Sequence, residues 1–501
     1  MSGGFVLVEP GITPPLDAGF RPAALANRAF RQEVAAAGGG ALLRLGLERP
    51  DGSVSCFDTQ VFCEDHPHAE ANLLYAERLL KFLLWQRGGH TVYAGGPRQI
   101  GEFLRGCYAP GGRRAFDHQF LSEQVYQRPF AVVPCTAGEV PPEQEKERPL
   151  GRHLDGCRIG FDLGASDLKI AAVVDGQAVY SDEIGWDPRN QADPDYHYQA
   201  IRAAIRTAAA RMPRVDAIGG SSAGIIVDNR PMVASLFRGV PAERFGRVRD
   251  LFVRLGEEMG VPLEVLNDGE VTALAGSMSL EPDGNAILGI AMGSSQAGGY
   301  VTQAGRITGW LNELAFCPVD YSPGAPVEEW SGDRGCGALY YSQQCVFRLA
   351  PQAGLTIPGG LSNAEKLEFA QDRLHAGHEG AARIWQTMGV YLGYGIAHYA
   401  DFYDLKHVLI LGRCTSGQGG ALIVDGARRV LAAEFPELAE RIAVQLPDEK
   451  SRRVGQSIAA ASLPTLPHPS PAALSAALNS GLPAGEREEG GGDDPVPDRD
   501  G

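Results

Sequence analysis

Residues 159–176 read as a strand, a tight phosphate-sized turn and a second strand, the most constraining local pattern in the chain. Apolar and β-branched residues flank the turn Asp162-Leu-Gly-Ala-Ser166, and Asp175-Gly176 is a two-residue hairpin signal leading into residues 177–180. Gly164 lets backbone approach a phosphate closely, Ser166 can donate a hydrogen bond to it, and Asp162 can hold a hydrated cation. An Asp-Leu-Gly in a hairpin is also ordinary turn chemistry. The unit gains functional weight from motifs nearer the C-terminus.

The 501 residues suffice for two or three domains of usual size, each able to bury a core. A formal net charge of -16 with no Lys/Arg-rich run argues against nucleic acid or an anionic membrane as a partner. The nine cysteines lie singly and are odd in number, the pattern of reduced thiols. Residues 1–14 lack the basic start and apolar core of an export signal, and no run is long enough to span a bilayer. These features predict a cytoplasmic protein.

Shifts in composition divide the chain into three regions and a tail. Residues 1–150 read as a mixed α/β module with a helix over 24–37, strands over 41–47 and 54–62, an amphipathic helix over 73–85, a strand at 91–94 and a helix over 97–108. It closes in a polar linker, 134–149, whose prolines and charges cannot pack a core. From 157 to 276 strands and helices alternate, with a helix over 196–211, a strand over 215–220, one long helix over 243–259 and a strand at 263–266. The alternation resumes over 277–462, with strands at 286–292 and 299–302, a capping box at Ser362-Asn-Ala-Glu365, a long apolar-striped helix over 381–403 and a strand at 407–412. This pattern predicts sheets with helices on their faces. Residues 463–501, rich in Pro, Ala and Gly and ending in acid, predict a disordered tail.

Three glycine-rich strand turns and an Asn-Asp pair fall in one order. Asp162-Leu-Gly-Ala-Ser166 with Lys169 comes first, and Asn267-Asp268 comes next at a strand-to-helix junction. Gly293-Ser-Ser-Gln-Ala-Gly-Gly299, Gly309-Trp-Leu-Asn-Glu313 and Ile410-Leu-Gly-Arg-Cys-Thr-Ser-Gly417 complete the series. Over about 157–435 this order resembles the ROK group (repressors, open reading frames, kinases) within the sugar kinase, heat-shock ATPase and actin superfamily. The resemblance implies an α/β, two-lobed ribonuclease H-like (actin-like ATPase) core preceded by the extra N-terminal module. It also implies an ATP-dependent carbohydrate kinase, with Asp268 as catalytic base, Asn267 and Glu313 as sugar ligands, and Ser222 and Gly224 lining the cleft. The implied nucleotide site comprises Asp162, Gly164, Ser166, Lys169, Gly293, Ser294, Ser295 and Gly412, with Asp162 holding Mg²⁺ through water. A sugar is then the small-molecule partner, and a homodimer stays open.

The chain also departs from that family pattern. Phe316 stands where the family has a His three residues after its Glu, and Cys317, Cys336 and Cys345 lack the spacing of its zinc loop, so zinc is not expected. Loss of a polar ligand predicts weak glucose affinity or a less hydroxylated acceptor. Two alternatives stay open: a non-catalytic sugar-sensing or regulatory protein on the same fold, with 1–150 as its output, and an ATPase switch with water as acceptor. Each site residue also has a plain reading, in which Asn267-Asp268 caps a helix, 293–299 closes a hairpin and Glu313 is a solvated loop acid.

Overall fold

Residues 4–149, 151–280, 284–447 and 449–466 are described by the computed structural model. The N-terminal region contains α1 (Ala23–Ala36), β1 (Ala41–Glu48), β2 (Val54–Val61), α2 (Ala71–Arg87), β3 (Thr91–Gly95), α3 (Arg98–Cys107), the short α4 (Ala115–Gln119) and β4 (Ala131–Cys135). Its sheet runs β2-β1-β3-β4, with β1 antiparallel to both neighbours and β4 parallel to β3.

The helix expected to be amphipathic, α2, is instead buried along nearly its whole length, Glu77, Arg78 and Lys81 included. Its charges are tolerated because they are paired. Arg78 bonds Glu77 at 2.7 Å and Asp333 at 3.2 Å, Lys81 bonds Asp117 at 2.5 Å, and Arg114 bonds Asp333 at 2.8 Å and also Glu77. Cations and carboxylates balance in this network, and deleting one member would strand a buried charge, at a cost of about 3–5 kcal/mol.

After the short β5 (Glu147–Pro149), the first lobe comprises β6 (Cys157–Leu163), β7 (Asp167–Val174), β8 (Gln177–Gly185), α5 (Pro194–Ala209), β9 (Ala217–Ser222), β10 (Ile225–Val227), β11 (Arg230–Val233), α6 (Phe245–Arg249), α7 (Leu251–Met259), β12 (Leu263–Asn267) and α8 (Asp268–Ser279). Its sheet runs β12-β9-β6-β7-β8, parallel from β12 to β6 and antiparallel beyond. The single helix expected over 243–259 is broken into a 3₁₀ turn, α6 and α7. Asp250 sits between the helices outside helical geometry (φ -88°, ψ 4°), and its carboxylate pairs with Arg230 of β11.

The second lobe comprises β13 (Ile287–Met292), β14 (Gln296–Val301), β15 (Arg306–Thr308), α9 (Gln343–Leu349), α10 (Asn363–His375), α11 (Glu379–Tyr399), β16 (His407–Leu411), α12 (Gln418–Glu434), α13 (Pro436–Ala439), β17 (Ala443–Gln445) and α14 (Glu449–Ala461). Its sheet runs β14-β13-β16-β17, with β13, β16 and β17 parallel and β14 antiparallel. The Ser362/Glu365 capping box opens α10. Together these elements form the expected two-lobed α/β core with an added N-terminal α/β module.

Two exchanges tie the lobes together. Helix α8, which leads out of the first-lobe sheet, packs on β13 and β14, while α14, which leads out of the second, packs on β6, β9 and α8. Most of the first lobe keeps its own hydrophobic core, whereas residues of 1–150 share one core with the second lobe, where Phe82 stacks on Phe402 at 3.9 Å. Ile225 and Met232 of the first lobe's β10 and β11 join that shared core. The linker is better anchored than its composition suggests. Its Val140 is buried, Gln144 bridges Val54, and β5 pairs antiparallel with β15. Most of the expected tail lies outside the described residues, but Leu463 is buried and the Pro464 carbonyl accepts from the buried Arg158 guanidinium at 2.7 Å. All nine cysteines are free thiols, and among the described residues no helix is long and apolar enough to cross a membrane.

Candidate active site

Parallel register brings the first-lobe residues to one edge. Asp162 lies opposite Ser221 and Leu163 opposite Ser222 on β9, while Ser222 lies opposite Asn267 on β12. The carboxyl ends of parallel strands are where open α/β sheets hold ligands. Asp268 is the first residue of α8, and Asn267 caps that helix. The Asn267 Oδ1 accepts from the Gly269 amide at 2.7 Å, while its Nδ2 donates to the Gly224 carbonyl at 2.7 Å. The capping reading therefore holds for Asn267, and the same side chain fixes Gly224.

The two glycine turns close alike. In the β6–β7 turn the Gly164 amide donates to the Asp167 carbonyl at 2.9 Å and the Gly164 carbonyl accepts from the Trp186 indole at 2.9 Å. In the β13–β14 turn the Gly293 amide donates to the Ser295 carbonyl at 3.0 Å. Both glycine amides are thus engaged, and the amides of Ala165, Ser166, Ser294 and Ser295 are the donors left for an anion. Ser166 donates to Asp167 at 2.9 Å and accepts from Arg413 of the second lobe at 3.3 Å. Lys169 is exposed, its Nζ 3.6 Å from Asp167. Gly412 has φ +99°, and a Cβ there would lie 2.6 Å from the Met292 carbonyl, so only glycine lets this turn rest against the end of β13.

Between these edges lies a cavity of about 760 Å³, within the usual size of a ligand pocket. Asp162, Lys169 and Gly412 line it together with Thr415, Gly417 and Gln456. The other expected site residues stand outside its lining. Among the described residues no group of three His, Cys, Asp or Glu could hold a metal ion. A lone carboxylate such as Asp162 still suits Mg²⁺, which takes most of its ligands from phosphate and water.

Four carboxyls from β6, α8 and the 309–313 loop form one electrostatic chain. Burial raises Asp162, with Asp167 adding and Ser221 and Lys169 opposing. Asp268 is pushed up to about 6 by burial and by the charge of Asp162. Burial pushes Glu270 up to about 7, against Arg148. Glu313 is pushed up to about 8 by burial and by the charges of Asp268 and Glu270. Glu313 is half-buried, and its amide is anchored on the Trp85 carbonyl of α2 at 2.9 Å.

Two participants are not legible as site residues in the sequence. Glu270, two residues after Asp268, has as its only signal that it is an acid in a first helical turn. Gln456 of α14 donates to the Asp268 carbonyl at 3.1 Å and to the Thr272 hydroxyl at 2.6 Å while lining the cavity. Its role depends on a contact across 188 residues, which no local pattern announces.

A family model for the ROK family matches residues 158–457, more than half of the chain. The chain belongs to the ROK family. The match reaches beyond residue 435 and takes in Gln456. Among solved structures, a ROK family transcriptional regulator described as a homolog of E. coli MLC protein is 19% identical, covering 62% of this chain and 78% of that one, with a TM-score of 0.49. A ROK family glucokinase from Streptomyces griseus, solved with glucose and AMPPNP, is 19% identical over 61% and 98%, with a TM-score of 0.47. A ROK hexokinase from Thermus thermophilus is 18% identical over 61% and 97%, also at 0.47. No curated protein matches the chain.

Proposed function

We propose that this ROK protein is an ATP- and Mg²⁺-dependent carbohydrate kinase that phosphorylates a sugar hydroxyl. The observation that carries the reading is the placement of Asp268 directly after β12, on the strand edge that carries Asp162 two strands away on β6, with its carboxyl pushed up to about 6 by burial and by the charge of Asp162. A carboxylate of that basicity accepts a hydroxyl proton better than an ordinary aspartate does. Asp162 binds the metal, and the free amides of residues 165–166 and 294–295 receive phosphate oxygens. ATP supplies the phosphoryl group and Mg²⁺ offsets its charge. Glu313, largely protonated near neutral pH, donates a hydrogen bond to a sugar oxygen, with Ser222 and Gly224 lining the same edge. The test is ADP release by the full chain with ATP, Mg²⁺ and a panel of hexoses. Sugar-dependent release that falls to background in Asp268→Ala supports the reading, and release indifferent to both sugar and Asp268 ends it.

The alternative on the same fold is a non-catalytic sugar-sensing or regulatory protein. Sugar binding without ADP release would select that reading.

A further inference from the structure

The turn that follows β16 is anchored on three sides. Gly412 rests against the end of β13, the Gln371 side-chain amide of α10 donates to the Arg413 carbonyl at 2.7 Å, and the Trp385 indole of α11 donates to the Cys414 carbonyl at 2.9 Å. From this base the exposed Arg413 side chain crosses to the first lobe, where its guanidinium meets the Ser166 hydroxyl at 3.3 Å. The turn it meets is fixed as well. Buried Trp186 holds two of its carbonyls, the indole donating to Gly164 at 2.9 Å and the backbone amide to Ser166 at 3.1 Å.

The charges around the cavity leave room for a further cation. Its lining sets Asp162, Asp182 and Glu183 against one cation, Lys169, a poor balance for the phosphates of a nucleotide. Arg413 contacts the same residue whose amide is left for an anion, so a phosphate oxygen received by the Ser166 amide lies within reach of its guanidinium. We propose that Arg413 binds the phosphate chain of the nucleotide, exchanging the Ser166 hydroxyl for a phosphate oxygen and joining the two lobes through the ligand. The exchange replaces a neutral acceptor with an ionised one, which an arginine holds more strongly. The proposal rests on the kinase reading, in which the phosphates lie at the amides of the two glycine turns.

The test is calorimetric titration of the full chain with AMPPNP and Mg²⁺, with sugar-dependent ADP release measured in parallel. Arg413→Ala is expected to weaken AMPPNP binding about tenfold, the scale of one charge-assisted hydrogen bond. Arg413→Lys recovers part of that loss, and the gap between Arg413→Ala and the wild type narrows as salt is raised. The loss persists when Ser166→Ala is added to both proteins, and thermal unfolding without ligand stays as in the wild type. Equal affinities overturn the proposal, as does a loss that is indifferent to salt or that disappears in the Ser166→Ala background. Sugar-dependent ADP release beside such a result keeps the kinase reading. An Arg413-dependent affinity without sugar-dependent ADP release supports the proposal and overturns the kinase reading. A wild type that binds no AMPPNP overturns both.

Discussion

In the first lobe Gly160 of β6 and Gly219 of β9 let the backbone of α14 lie directly on the sheet, and in the second Gly299 of β14 does the same for α8. A side chain at any of these positions would strike the crossing helix. Each lobe thus receives the helix that leads out of the other, and each carries a hairpin whose glycine amide is tied within its own turn. The finish differs. The first-lobe turn is edged by Asp162, Asp167 and Lys169, the second by Ser294, Ser295 and Gln296. Most of the first lobe has a separate core, its β10–β11 hairpin apart, while the second is braced by residues 1–150. Closure on a ligand is accordingly expected as a tilt of the first lobe, with its charged edge, against a fixed second lobe.

The sharpest way to divide the lobes is Asp268→Asn, which removes the base and leaves the scaffold. Turnover should fall on the order of 10²–10⁴-fold with the fold no less stable than the wild type near neutral pH, as read by ADP release and calorimetry. The shared plan is probed next by Gly219→Val and Gly299→Val, each overpacking one helix crossing. Chemical denaturation should record a loss of roughly 1–3 kcal/mol in both, and a loss confined to one would break the symmetry.

Titration sharpens the contrast between the acidic edge and its neighbours. Because Asp268 must be ionised to act, the rate should rise with pH through about 6. Glu313 is raised from 4.5 to about 8, so the stability it contributes is whole below about 4.5 and is lost as pH rises through 8. Glu313→Gln should therefore gain melting temperature over the wild type at pH 8.5 and not at pH 4.5, by about 1–3 °C. The smallest effect is expected for Gln456→Ala. Loss of its bond to the Asp268 carbonyl should lower kcat about two- to tenfold with sugar affinity unchanged.

What could be read in the residues divides along the same physical line. The alternation of strands and helices, the two glycine turns and the Asn-Asp junction are local signals, and the lobes follow them. The long helix over 243–259 is broken at Asp250, which leaves helical geometry and pairs with Arg230 on another element. The face of α2 misled because its charged residues look solvated until Asp117 and Asp333 arrive from elsewhere in the chain. For Glu313 the residues alone allowed both a sugar ligand and a plain loop acid, because the neighbours Asp268 and Glu270 that act on it are distant in sequence.

The paired charges on α2 also impose an order on biosynthesis. Arg78 leaves the ribosome 255 residues before Asp333, its carboxylate partner in the second lobe. Until that loop is made, the helix carries cations whose pairing is incomplete, and water is a better place for them than a core. The packing of α2 is therefore expected to complete only once the loop carrying Asp333 has been made.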